Sequence, residues 1–258
     1  MLKLETKLKE ELLGCDGRLG LAIEIGNEQF LYQSEAVFQS ASVIKVPILI
    51  EGLRQSDQGK IKLDEVTAIT NKVGGSGVLQ ALSGHARMTI KDLMTLMITV
   101  SDNTATNMLI DLLGMESINL TMEKLGLSNT VLNRKMMDFE AIERGWDNFT
   151  SPIDMITCLK AVNEGSFLAK ESKKAALEMM NNQQFLDKLP AMMDLDKIFV
   201  ANKTGGLPGV EHDCAVIKYR GKTAYIAVLM DKLNDVSAGT QTISRIGRRL
   251  YEYLLEET

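Results

Sequence analysis

Three short stretches of the chain bring hydroxyls and amines together: Ser42-Val43-Ile44-Lys45, Ser101-Asp102-Asn103 and Lys203-Thr204-Gly205. In the first, a helix opening at Ser42 puts Lys45 one turn further along on the same face, within reach of the hydroxyl. A serine hydroxyl at its ordinary pKa is a weak nucleophile and needs a neighbouring base, which a neutral amine supplies. The run VIKVPILIEGL surrounds Lys45 with apolar side chains, and burial lowers an amine's pKa. The start of a helix adds a dipole that favours negative charge developing on the serine oxygen. Ser42 is the only serine in the chain with lysine three residues later. Taken singly, the pattern also describes an N-cap serine followed by a surface lysine.

Ser101-Asp102-Asn103 lies where the apolar helix DLMTLMITV gives way to the next; read singly, it is an Asx turn or a helix cap. Lys203-Thr204-Gly205 ends the extended run IFVANK and continues into Gly206. The lack of a β-carbon there lets a substrate approach the backbone, although a strand edge entering a turn has the same signature. Gly74-Gly75-Ser76-Gly77 is not a phosphate loop, because no Lys-Ser/Thr follows it.

The rest of the composition narrows the chemistry. The two histidines, His85 in a polar loop and His212 at a strand start, read as ordinary structural residues. Cys15, Cys158 and Cys214 are too far apart for a zinc site and read as small core residues in a reduced compartment. The fifteen methionines read as flexible apolar filler. No metal or cofactor is expected. With 34 acidic and 29 basic residues the net charge is −5 and no basic block exists, which argues against nucleic acid. The longest apolar run, Ala224 to Met230, is far short of the roughly 18–20 residues a membrane span needs. The opening MLKLETKLKEELLG has no apolar core or cleavage site, so the chain as given is expected in the cytoplasm. A chain that had lost an export leader would read the same. Nothing in the sequence specifies an oligomeric state.

Several elements must position the three stretches. Helical spacing covers Leu4 to Leu13, Val43 to Gln55, Ile90 to Val100, Thr104 to Leu113, Met115 to Leu125, Ile153 to Asn163, Glu171 to Asn181 and a final helix from Asp235 to about Glu256. Extended runs cover Arg18 to Ile25 and Gln29 to Gln33 around a Gly26-Asn27 turn, then Ile198 to Lys203, Asp213 to Tyr219 and Thr223 to Met230. Residues 126–151 lack periodicity, and loops of that length are usually functional. The expected fold is α/β of the α+β type: an antiparallel five-stranded sheet with flanking terminal helices plus an inserted all-helical domain. Residues 1–40 with 190–258 would form the sheet unit and 41–189 the insertion, with the active site at the seam.

Together, and in this order, the three stretches resemble the signature of the class A serine β-lactamases and their penicillin-binding relatives. The approach SASVIKVPIL, the stretch MTIKDLMTLMITVSDNTATNMLID and the strand-turn around KTGG extend the likeness over roughly residues 15–258. The spacings between the motifs also suit that family. The resemblance implies a fold of β-lactamase/transpeptidase type and a serine hydrolase acting on a small β-lactam or peptide-like substrate. Ser42 would be the acylated nucleophile and Lys45 its proton acceptor. Ser101 would relay the proton to the β-lactam nitrogen, and Asn103 would hold the substrate side-chain amide. Lys203 and Thr204 would hold the substrate carboxylate beside Gly205, and the amides of Ser42 and Gly206 would form the oxyanion hole.

One departure from the family pattern stands out. Where class A enzymes carry R-x-E-x-x-L-N, this chain has Arg134-Lys135-Met136-Met137-Asp138-Phe139-Glu140. Arg134 fits, and Asp147 fits as the acid that pins the far end of the loop. Met136 falls where the glutamate that positions the deacylating water belongs, and Glu140 falls where the asparagine belongs. Acylation through Lys45 survives that change; rapid deacylation lacks its base. Three readings stay open. Glu140 or Asp138 replaces the base from a shifted loop, with Glu140 the better candidate, and the protein is a slow β-lactamase. Alternatively the acyl-enzyme is long-lived, as in a penicillin-binding peptidase or esterase. In the third, the fold is a non-turnover β-lactam sensor, against which the intact set of Ser42, Lys45, Ser101 and Lys203 argues.

Overall fold

The computed structural model describes residues 1–256. Helix α1 (Leu2–Leu13) leads into the hairpin β1 (Arg18–Ile25) and β2 (Glu28–Tyr32), with Gly26 of its turn at φ +58°. Strand β3 (Phe38–Gln39) and a 3₁₀ turn (Ala41–Ile44) precede α2 (Lys45–Asp57). The middle of the chain supplies β4 (Val66–Ala68), β5 (Arg87–Thr89), α3 (Ile90–Thr99), α4 (Asn103–Leu113), α5 (Met115–Lys124), α6 (Phe139–Glu143), β6 (Phe149–Thr150), α7 (Pro152–Asn163) and α8 (Lys170–Asn181). The end brings β7 (Phe199–Leu207), β8 (Val210–Tyr219), β9 (Lys222–Asp231) and α9 (Val236–Glu256).

The main sheet has the order β2-β1-β9-β8-β7, antiparallel at every step. Its inner strands β1 and β9 run largely apolar on both faces because both faces are covered. Leu19, Leu21 and Ile23 of β1 join Ile226, Val228 and Met230 of β9 in a core closed by Leu4 and Leu8 of α1 and Ile243, Ile246, Leu250 and Leu254 of α9. On the opposite face Cys214, Val216, Ala227 and Leu229 meet Ile48, Leu49, Met155 and Leu159 of α2 and α7. The two outer helices are tied by Glu11, whose carboxylate accepts from Arg245 (2.7 Å) and Arg249 (3.0 Å). Local signals start the helices that matter to the site. Thr89 and Asp92 form a capping box on α3, Asp102 caps α4, and Ser151 with Pro152 opens α7. No helix among the described residues is long and apolar enough to cross a membrane.

Two expectations need correction. The inserted body is not purely helical: within it β4 pairs with β5 (Val66↔Thr89), and its β6 pairs with β3 of the sheet unit (Phe38↔Thr150). These strands are two or three residues long, too short to show an alternating pattern. The helix expected from Val43 begins instead as the 3₁₀ turn, with Val43 N–H donating to Ser40 O (3.1 Å), and α2 starts at Lys45. In a 3₁₀ turn residues three apart eclipse one another, so Ser42 and Lys45 still share a side.

Gly247 of α9 sits against the 3₁₀ turn Leu189–Met192, where a β-carbon would collide with the Leu189 carbonyl oxygen. Gly247→Ala therefore forces helix and turn apart. It is expected to lower stability by about 1–3 kcal/mol, read as a lower denaturation midpoint at unchanged slope.

Candidate active site

Ser42 stands in the 3₁₀ turn beneath β7, and the close approach between the two needs glycine. A β-carbon on Gly205 would lie 3.2 Å from Ser42 N and 3.3 Å from Val43 N. Ala41, just before the nucleophile, holds a left-handed φ of +42°. Ser42 is half-buried and joins two clefts. One, of about 190 Å³, is lined by Asn103, Gly75, Arg134, Met136, Met137, Phe139, Ile142 and Leu207. The other, of about 220 Å³, is lined by Ser101, Thr204, Gly205, Phe185, Asp187, Lys188 and Glu211. Ser42, Ser76 and Gly206 belong to both.

Lys45 is fully buried. Its Nζ donates to Ser101 O (2.7 Å), Ser101 Oγ (2.9 Å) and Asn103 Oδ1 (2.9 Å). Burial drives its pKa well below that of an ordinary lysine; the Lys203 charge acts in the same direction and Asp102 opposes it. Lys203, also fully buried, reaches Ser101 Oγ (3.2 Å) and Thr204 O (2.7 Å). Its pKa falls to about 7, through burial first, with Cys214 opposing and Lys188 reinforcing. The Ser101 hydroxyl thus accepts from two amines whose pKa burial lowers, and a proton can pass among the three. Ser101 adopts a left-handed φ of +55°, which turns both its hydroxyl and its carbonyl toward Lys45.

Asp102 is structural. Its Oδ1 accepts Ala105 N–H (2.9 Å), while Oδ2 accepts Val78 N–H (2.7 Å) and Leu79 N–H (2.8 Å). Those bonds draw the Gly74–Gly77 loop over the turn. A β-carbon on Gly77 would collide with Asp102, and one on Gly75 would lie 2.6 Å from Asn103 Nδ2. Asn103 donates to Gly74 O (3.1 Å), and its backbone N–H donates to Ser76 O (3.0 Å). The glycine run therefore forms the rim of the site, a role that nothing in its residues signals beyond their density of glycine.

The long loop is pinned by Arg134, whose Nε donates to Asp147 Oδ1 (2.8 Å). Asn148 accepts from Asn133 N–H (2.8 Å) and Arg134 N–H (3.0 Å). Asn107 clamps Met136 on both sides, accepting its N–H (2.8 Å) and donating to its carbonyl (3.0 Å). Asn107 and Asn148 escaped sequence reading; Asn107 lies one helical turn beyond Asn103 on α4, the signal that points to it. Asp138 and Glu140 do not join the site. Asp138 caps α6 by accepting Ala141 N–H (3.0 Å), Glu140 is exposed, and neither lines the clefts. Capping holds Asp138 at the start of α6, and the helix presents Phe139 and Ile142 to the cleft instead of Glu140. His212 lies inside β8, fully buried between Gln39 O and Glu211 O (2.7 Å each). Burial lowers its pKa to about 4, so it is a neutral structural ring.

The model of the Beta-lactamase enzyme family matches residues 3–254. A β-lactamase structure from Sphaerobacter thermophilus is 31% identical, with a TM-score of 0.89 over 98% of this chain and 97% of that one. A penicillin-binding protein, PBP-A, solved as a leucine-to-glutamate variant in acyl-enzyme complex with penicillin G, is 26% identical, with a TM-score of 0.88 over 99% and 96%. An ancestral class A β-lactamase is 26% identical, with a TM-score of 0.87 over 97% and 99%. The paired buried lysines around one serine, the close-pressed β7 and a match spanning both halves of the fold converge: the chain belongs to the class A serine branch of the β-lactamase enzyme family.

Proposed function

We propose that the protein opens β-lactam rings by acylation of Ser42 and releases the acyl group slowly. The observation that carries the first half is the Lys45–Ser101–Lys203 relay beside the nucleophile. Ser42 Oγ attacks the lactam carbonyl while neutral Lys45 takes its proton, and the developing oxyanion is met by the amides of Ser42 and Gly206. Ser101 then hands a proton to the lactam nitrogen and is resupplied by Lys45, so the C–N bond breaks and an ester on Ser42 remains. Asn103 faces the acyl side chain, and Phe139, Ile142 and Leu207 make that end apolar.

Releasing the ester needs a base for water. Met136 lines the cleft on the loop side and has no proton acceptor to offer, and no carboxylate lines that cleft. Arg134, Met137 and Asn148 beside it do not replace one. The capture of a PBP-A variant as its acyl-enzyme with penicillin G supports the acyl-enzyme reading for this chain.

Incubation with benzylpenicillin is expected to add one acyl group to Ser42 by intact mass, and Ser42→Ala to remove it. Lys45→Met is expected to slow acylation by about 10²–10⁴-fold while the protein stays folded. In the native protein acylation should fall toward acid, as Lys45 gains the proton that disables it as a base. Undiminished acylation of Lys45→Met across neutral and alkaline pH would assign activation of Ser42 to another group.

The second half predicts a burst with a chromogenic cephalosporin: about one equivalent consumed quickly, then a much slower phase. Met136→Glu should raise the slow phase far more than the burst. Glu140→Gln and Asp138→Asn should leave both phases unchanged. Steady turnover that Glu140→Gln abolishes would return the base to α6.

A further inference from the structure

The acyl end of the cleft is closed by a thioether. Among the described residues, Met136 and Met137 are the two methionines that line either cleft. Met136 is buried, and Asn107 holds its backbone on both sides. Met137 is half-buried and reaches across to the glycine rim. A β-carbon on Gly75 would lie 3.0 Å from Met137 Sδ and 2.6 Å from Asn103 Nδ2. The sulfur and the amide nitrogen are thus near neighbours at the cleft mouth.

Asn103 is already oriented by its other bonds. Its Oδ1 accepts from Lys45 (2.9 Å), and its Nδ2 donates one proton to Gly74 O (3.1 Å). A side-chain amide nitrogen carries two protons. The second is the one left for the acyl amide oxygen of a substrate. The Met137 thioether competes for it poorly, because its sulfur is a weak acceptor.

We propose that Met137 is an oxidative modification site through which a hydroperoxide slows the acylation of Ser42. This rests on the acylation argued above. The sulfur lone pair attacks the hydroxyl oxygen of the hydroperoxide and the O–O bond breaks. The proton on that oxygen passes to the departing hydroxide or alkoxide, leaving a sulfoxide and water or an alcohol. The sulfide is oxidised by two electrons and the peroxide is reduced by the same two. The product side chain is polar and still flexible, and its oxygen comes within hydrogen-bond reach of Asn103 Nδ2. The sulfoxide then holds the proton that the acyl amide needs, and the cleft is occupied from within.

The test treats the full chain with hydrogen peroxide, locates added oxygen by peptide mass, and follows Ser42 acylation by time-resolved intact mass. Two substrates are compared: benzylpenicillin, and aminopenicillanic acid, which has a free amine in place of the acyl amide. Oxidation of Met137 is expected to lower the second-order constant for benzylpenicillin about fivefold, the effect of losing one hydrogen bond. The constant for aminopenicillanic acid should change much less. Reduction of the sulfoxide by methionine sulfoxide reductases should restore the first constant. Met137→Leu, which has no sulfur there, should give one constant before and after peroxide, whereas Met136→Leu should still lose about fivefold. Four outcomes overturn the proposal and leave Ser42 acylation standing: Met137 unoxidised while other methionines are oxidised, oxidised Met137 with unchanged acylation, equal losses with both substrates, or a loss that persists in Met137→Leu. If Met137→Leu does not fold, the two-substrate comparison on the native protein decides, and equal losses overturn it. No Ser42 adduct with either compound overturns the acylation reading and this one together.

Discussion

Two lysine side chains without solvent contact share one serine hydroxyl, and each raises the cost of charge on the other. Unit charges this close repel strongly wherever the effective dielectric is low, and burial penalises each ammonium separately. Lys45 answers by sitting well below its ordinary pKa and Lys203 by falling to about 7. Much of the surrounding structure exists to make that tolerable. The Ser101 carbonyl and the Asn103 amide oxygen give Lys45 polar partners, and Thr204 O gives one to Lys203. The apolar walls of α2 and α3 keep water out, so the same burial that costs stability supplies a base at neutral pH.

Part of the local backbone strain gathers at the same place. Ala41, Ser101 and Met137 hold left-handed φ values, each a conformation that costs a non-glycine residue about 1–3 kcal/mol. They bracket the nucleophile, the proton relay and the loop facing them. Each is braced by a neighbour that leaves it little freedom: Gly205 against the 3₁₀ turn, Asp102 on three amides and Asn107 on both sides of Met136. Side chains with polar ends in helical and loop positions thus act as struts for the backbone rather than as reagents.

What could be read from the sequence was whatever the chain encodes over a few residues. Ser42 and Lys45 are three apart, and no later folding event alters that adjacency. The strands of the main sheet were legible because burial on both faces leaves continuous apolar runs such as Ala224 to Met230. The pairing of β3 with β6 was not, since two residues display no period. Lys188 and Glu211 are distant along the chain and meet through the β7–β8 register and the turn at Leu189, so neither residue type hints at the other. That Asp138 and Glu140 line neither cleft was hidden for a related reason. Position along the loop put them near, but α6 rotates a helical residue's neighbours to opposite sides within two positions.

The placement of β1 between β2 and β9 has a consequence for how the molecule comes into being on the ribosome. A nascent chain can form its first hairpin early, but that hairpin's inner edge stays unpaired until residues 222–231 emerge. Through that interval the helices between them must remain soluble without the sheet against which they pack. Contacts separated by roughly two hundred residues carry a large loop-closure cost, a topology that slows folding and prolongs exposure of an open strand edge. Strand β7, which lies against the 3₁₀ turn at Ser42, also comes late in the chain, so the surroundings of the reactive serine are incomplete until residues 199–207 have left the ribosome.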